Sequence, residues 1–84
     1  METIYLKSIF EDGIVYFKIK SIATTSEFIY EGLEVIYEED ELWEIDEYEL
    51  TQEDLEEMYE DGFFDIEAEE FEQALEEARK HAGN

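Results

Sequence analysis

The chain has 84 residues and carries 27 Asp and Glu against five Lys and Arg, for a formal charge of −22. That balance makes a single acidic domain with too few cations to neutralise a phosphate backbone, so direct nucleic-acid binding and docking on an anionic membrane are excluded as expectations. With no Cys there is neither a disulfide nor a thiolate metal site, and with 44% hydrophobic and 15% aromatic residues the composition is not that of a disordered acidic tail.

Residues 3–22 read as a hairpin. Asp12-Gly13 lies between two alternating runs and is a preferred two-residue turn. Pairing Glu11 with Ile14 sets Phe10 against Val15, Ser8 against Phe17 and Leu6 against Ile19 on one side. Tyr5, Lys7, Ile9, Tyr16, Lys18 and Lys20 take the other side. Lys7 then opposes Lys18, and such like-charge pairs call for carboxylates nearby.

After the polar link Ala23-Thr24-Thr25, residues 26–31 and 33–38 alternate on either side of Gly32. Gly32 is either a tight turn between two strands or a bulge in one, and the turn is preferred. Glu39-Asp40-Glu41 forms the next connection. It sets Tyr37 against Trp43 and Val35 against Ile45 on an inner face shared with Phe28, Tyr30 and the apolar side of the first hairpin. The outer face shows Glu27, Glu31, Glu34, Glu38, Glu44 and Asp46, with Ile29 and Ile36 among them.

Thr51 is placed to cap a helix, with Asp54 completing a capping box and Leu50 and Leu55 at the staple positions. The helix should bury Leu55, Met58 and Tyr59 and end near Gly62, with Phe63 and Phe64 filling the core. Asp65 is the expected N-cap of a second helix whose stripe is Ala68, Phe71, Leu75 and Ala78. Arg79, Lys80 and His81 suit its last turn and Gly83 its end. The expected fold is α+β in one domain, 1–84. An antiparallel meander of four to five strands over 3–50 is followed by two C-terminal helices over 51–82, packed on one face of the sheet.

Little here carries covalent chemistry. The one histidine, His81, follows Glu77 at i+4, a spacing that also suits a solvated helix end. There is no Gly-rich phosphate loop, and the run Glu38 to Glu41 lacks the Gly of a calcium loop. The reading is therefore a non-enzyme without metal or cofactor. Glu2 stands where a signal peptide has a basic region, and no apolar run approaches a membrane span. The expected setting is the cytoplasm of a bacterial or archaeal host.

The acidic field is the functional signal. From Ser21 to Ala78 there are twenty-four carboxylates and no Lys or Arg, and accumulating like charge works against folding. In the last helix, Glu67, Glu69, Glu70, Glu72, Glu76 and Glu77 span about 16 Å, one charge per roughly 2.7 Å. Duplex DNA carries one per about 1.7 Å. In size, charge, lack of Cys and a sheet-plus-helix body with Glu-rich faces, the chain resembles the small acidic DNA-mimic inhibitor proteins, often phage-encoded. That class is polyphyletic and has no shared motif, so the resemblance transfers no residue roles.

It implies an anti-defence or similar inhibitor that occupies the basic groove of a DNA- or RNA-binding protein of restriction, repair, CRISPR or nucleoid type. Two alternatives stay open: an acidic chaperone or antagonist of a basic protein without mimicry, and a halophile-type acidic domain. The partner-binding residues expected from the pattern form two patches. One is Glu38, Glu39, Asp40, Glu41, Glu44 and Asp46 with Ile29 and Ile36, and the other is Glu69, Glu72 and Glu76. The chain is expected as a monomer or homodimer.

Overall fold

The computed structural model describes residues 2–40 and 42–82. It contains β1 (Thr3–Phe10), β2 (Gly13–Ser21), β3 (Tyr30–Glu38), β4 (Leu42–Leu50), α1 (Gln52–Glu60), β5 (Phe64–Asp65) and α2 (Ala68–Ala82). All neighbouring strands are antiparallel, in the order β4-β3-β2-β1-β5. This is the expected α+β meander with two C-terminal helices, joined by a short fifth strand. No helix among the described residues is long and apolar enough to cross a membrane.

The first hairpin closes through Glu11-Asp12, with Phe10 paired to Gly13. The expected register slips by two residues, so each residue keeps its face while Lys7 meets Tyr16 and Lys18 meets Tyr5. Gly13 is needed for close approach: it pairs with Glu38 on β3, and a Cβ there would lie 2.4 Å from the Tyr37 carbonyl oxygen. Gly32 is neither a turn nor a bulge. It sits inside β3, paired with Ile19 on one side and Tyr48 on the other in unbroken register.

The run from Ser26 does not form the expected strand. The Ser26 N–H donates to Thr24 Oγ1 (3.0 Å) and the Phe28 N–H to Ser26 Oγ (3.2 Å). Such local bonds offer the backbone an alternative to the ladder. Phe28, expected on the inner face, is exposed.

The principal difference from expectation lies in the faces. The sheet has a front, bearing Leu6, Val15, Phe17, Ile19, Glu34, Ile36, Glu44 and Asp46, and a back, bearing Tyr5, Tyr16, Leu33, Val35, Trp43 and Ile45. Since Phe17 pairs with Glu34 and Tyr16 with Val35, the apolar sides of the two hairpins point in opposite directions. The helices follow the apolar surface and lie on opposite faces rather than one. Leu55 of α1 packs on the front with Leu6, Phe17 and Ile19. Phe71, Ala74 and Ala78 of α2 pack on the back with Val35, flanked by Tyr5, Tyr16, Leu33, Trp43 and Ile45.

Both helix ends follow local chemistry. The Asp54 N–H donates to Thr51 Oγ1 and the Thr51 N–H to Asp54 Oδ2, the reciprocal capping box. At the C-terminus Gly62 has φ of 100°. Its N–H bonds the Tyr59 carbonyl and that of Phe63 bonds the Met58 carbonyl, a Schellman closure that needs the left-handed conformation. Phe63 enters the front core, but Tyr59 and Phe64 remain exposed. Asp65 is not a cap. It belongs to β5, paired with Leu6, and accepts a hydrogen bond from the Tyr59 hydroxyl (3.1 Å). α2 starts after Glu67, whose carbonyl accepts the N–H groups of Glu70 and Phe71. Gly83, the expected C-terminal cap, lies outside the described residues.

Candidate partner-binding surface

Alternation along β3 and β4 decides which carboxylates meet. Glu34, Ile36 and Glu38 project from the front of β3, opposite Asp46, Glu44 and Leu42 of β4. Same-face neighbours along a strand stand about 6.6 Å apart, and those across the pair about 5 Å. α1 packs over β1 and β2 and reaches Tyr30 and Leu50 at one end of β3 and β4, while the rest of this front surface stays open, with Glu38, Leu42, Glu44 and Asp46 exposed.

At its centre is Glu34. Burial is the largest cause that raises its carboxyl above the ordinary 4.5; Asp46 and Glu44 push in the same direction, and a hydrogen bond from Tyr48 opposes them. The Tyr48 hydroxyl donates to Glu34 Oε1 at 3.1 Å. The charge of Glu34 in turn raises the Tyr48 phenol above 10.0. Beside this pair runs a groove of about 420 Å³ between the sheet and α1, with Phe17, Leu50 and Met58 among its apolar lining and Asp54, Glu57 and Asp61 among its acids.

The cations are elsewhere. Lys7, Lys18 and Lys20 have the parity of the back face, and Arg79 and Lys80 belong to the helix that covers it. The open front and α1 therefore carry acids and no Lys or Arg. The back is compensated in part. Lys7 Nζ bonds Glu70 Oε2 at 2.5 Å and lies 5.5 Å from the centre of the Tyr16 ring. That bond is the main cause raising the Lys7 ammonium above 10.5. Lys18 and Lys20 line a depression with Glu31, Glu47 and Glu49, and Lys80 lies 3.7 Å from carboxyl oxygens of both Glu76 and Glu77.

The structure thus separates the two expected patches. Glu38, Glu44, Asp46 and Ile36 share the front, and exposed Glu39 and Asp40 form the adjoining turn, tied down by the Glu39 N–H on the Asp12 carbonyl (3.1 Å). Glu41 lies outside the described residues. Ile29 is in the β2–β3 connection, with its carbonyl bonded to the Ile22 N–H (2.9 Å), at the end of β3 remote from that turn. Glu69, Glu72 and Glu76 ride on α2 over the back, where Glu72 and Glu76 line a shallow depression with Lys18, Arg79 and Lys80.

Sequence reasoning left out Glu34 as a binding residue and the acids of α1. The Phe17–Glu34 pairing that joins them to the front is a long-range register, and no local pattern reports it. Compared with known proteins, the chain matches no family model, no curated protein and no solved structure.

Proposed function

We propose that the chain is a DNA-mimic inhibitor whose open front face occupies the Lys/Arg-lined groove of a nucleic-acid-binding protein and blocks access to DNA. The observation that carries this reading is the segregation of charge: acids without a cation on the front and α1, with every Lys and Arg on or over the back. A one-sign surface over a low-dielectric body focuses its field and steers a basic partner. The carboxylates on β3 and β4 are held by a strand ladder, so less ordering entropy opposes binding than in a flexible acidic tail. Ile36, half-buried between Val15 and Glu44, adds an apolar centre of the kind that concentrates interface energy.

The test is displacement of labelled DNA from a basic protein captured out of a bacterial lysate. Neutralising Glu38, Glu44 and Asp46 to Gln, Gln and Asn should abolish displacement. Neutralising Glu69, Glu72 and Glu76 on the back should leave most of it. Equal loss from both would identify a carrier of basic proteins that responds to bulk charge and overturn the mimic reading.

A further inference from the structure

We propose that the outer edge of β4 receives an extended basic strand of the partner, which lengthens the sheet by one strand; this rests on the reading of the front face as a binding surface. β4 pairs with β3 along all nine residues from Leu42 to Leu50 and, among the described residues, with no strand on its other side. The opposite edge of the sheet is treated differently. There β5 pairs with β1 at Leu6 and Lys7, and the Ile66 N–H bonds the Tyr5 carbonyl at 2.9 Å. β4 has no Pro, no Gly and an unbroken register, so its outward N–H and C=O groups form a regular row. Such a row is a template for another strand.

Charge identifies the occupant. Edge strands are commonly guarded by Lys, Pro or a bulge. β4 has only acids in that role: Glu44 and Asp46 on the front, Glu47 and Glu49 on the back. A second copy of β4 would oppose all four acids to acids in a parallel register and at least one, such as Asp46 to itself or Glu44 to Asp46, in the antiparallel registers that overlap most of the strand, which is unfavourable for directly opposed residues. A strand with Lys or Arg facing Glu44, Asp46, Glu47 and Glu49 turns the same four positions into attractions. Between them, Ile45 packs into the back cluster with Trp43, so a β-branched residue suits the site facing it. Main-chain bonds then supply affinity and the charges select the strand.

The experiment uses the full chain and two short Lys/Thr/Val peptides with basic residues at those positions, identical except that one is N-methylated at alternate backbone amides. Binding and amide hydrogen exchange of β4 are followed by NMR. The unmethylated peptide is expected to protect those β4 amides that exchange rapidly in the free protein, and to bind about ten-fold more tightly than its methylated twin, which keeps the charge but loses ladder donors. Equal affinity, or binding without β4 protection, overturns the proposal. So does concentration-dependent protection of β4 without peptide, which would make the occupant a second copy. The DNA-displacement assay reads the front-face proposal separately, since a partner can be displaced from DNA with β4 unprotected.

Discussion

The Tyr48 hydroxyl donates a hydrogen bond to Glu34, a half-buried carboxylate that faces Asp46 across the strand pair on a side of the sheet with no Lys or Arg. The protein thus keeps a desolvated charge among like charges, and its carboxyl is raised for that reason. Because the folded state binds this proton more readily than the unfolded chain, Glu34 destabilises the fold when ionised. That penalty is fully present above its raised folded value and is relieved as pH falls through that value toward 4.5. Glu34→Gln should therefore stabilise the fold near neutral pH by about 0.5 kcal/mol, a figure kept small because solvent screens the site. Tyr48→Phe, which removes the opposing hydrogen bond, should raise the Glu34 carboxyl further. An NMR titration of the Glu34 side chain checks both: an ordinary value in the wild type, or a fall in Tyr48→Phe, contradicts the geometry.

The tie between Lys7 and Glu70 anchors the first turn of α2 to β1. Glu70→Gln leaves Lys7, only 18% exposed, beside a neutral amide and should cost about 1 kcal/mol. The Lys7 ammonium is raised, so its stabilisation is present below 10.5 and is lost as pH rises through its folded value. Urea melts of wild type and Glu70→Gln should accordingly converge at strongly alkaline pH. A constant gap would place the effect in packing instead.

Three glycines should respond differently to alanine. In Gly13→Ala the new Cβ meets the Tyr37 carbonyl oxygen at 2.4 Å, a backbone atom, and should cost about 2–3 kcal/mol. In Gly32→Ala the nearest atom is Leu50 Cδ1 at 2.8 Å, the end of a flexible side chain, and the cost should stay under about 1 kcal/mol. In Gly62→Ala nothing is near, but φ of 100° is strained for alanine and should cost about 1–2 kcal/mol. Thermal melts that rank Gly32→Ala as the most damaging would refute this account.

Phe71 is fully buried against the back of the sheet, with its ring 5.6 Å from that of Tyr5. Phe71→Ala should cost about 3–5 kcal/mol, enough to unfold much of a domain this size. Trp43 is only half-buried, between Tyr37 (4.7 Å) and the His81 ring (6.2 Å), so Trp43→Ala should cost less, about 2 kcal/mol. Chemical denaturation of the two variants decides the order. A larger loss at Trp43 would mean that the last turn of α2 contributes more than its first.

Added salt should raise the melting temperature, since the front-face repulsion is exposed and therefore screened. Neutralising Glu38, Glu44 and Asp46 together should flatten that dependence more than neutralising Glu69, Glu72 and Glu76, which lie nearer the cations. Equal flattening would mean that net charge, not its placement, sets the response.

Period-two alternation marked β1, β2 and β4, and Thr51 with Asp54 marked the start of α1, because a strand's pleat and a helix cap are properties of neighbours in sequence. The same alternation left the faces undecided. Tyr5 and Tyr16 on one side of the first hairpin offer large rings to a core just as Leu6, Phe17 and Ile19 do on the other, as strands covered on both faces require. Which of the two sides joins Val35 and Ile45 depends on how β2 meets β3. That register follows a connection folded by its own Ser and Thr hydroxyls rather than by a tight turn. Only the packed structure, with Tyr16 beside Val35 and Phe17 beside Glu34, sends the two helices to opposite faces. Covering apolar surface on both sides requires that placement, and it leaves the front carboxylates on a surface from which the cations are excluded.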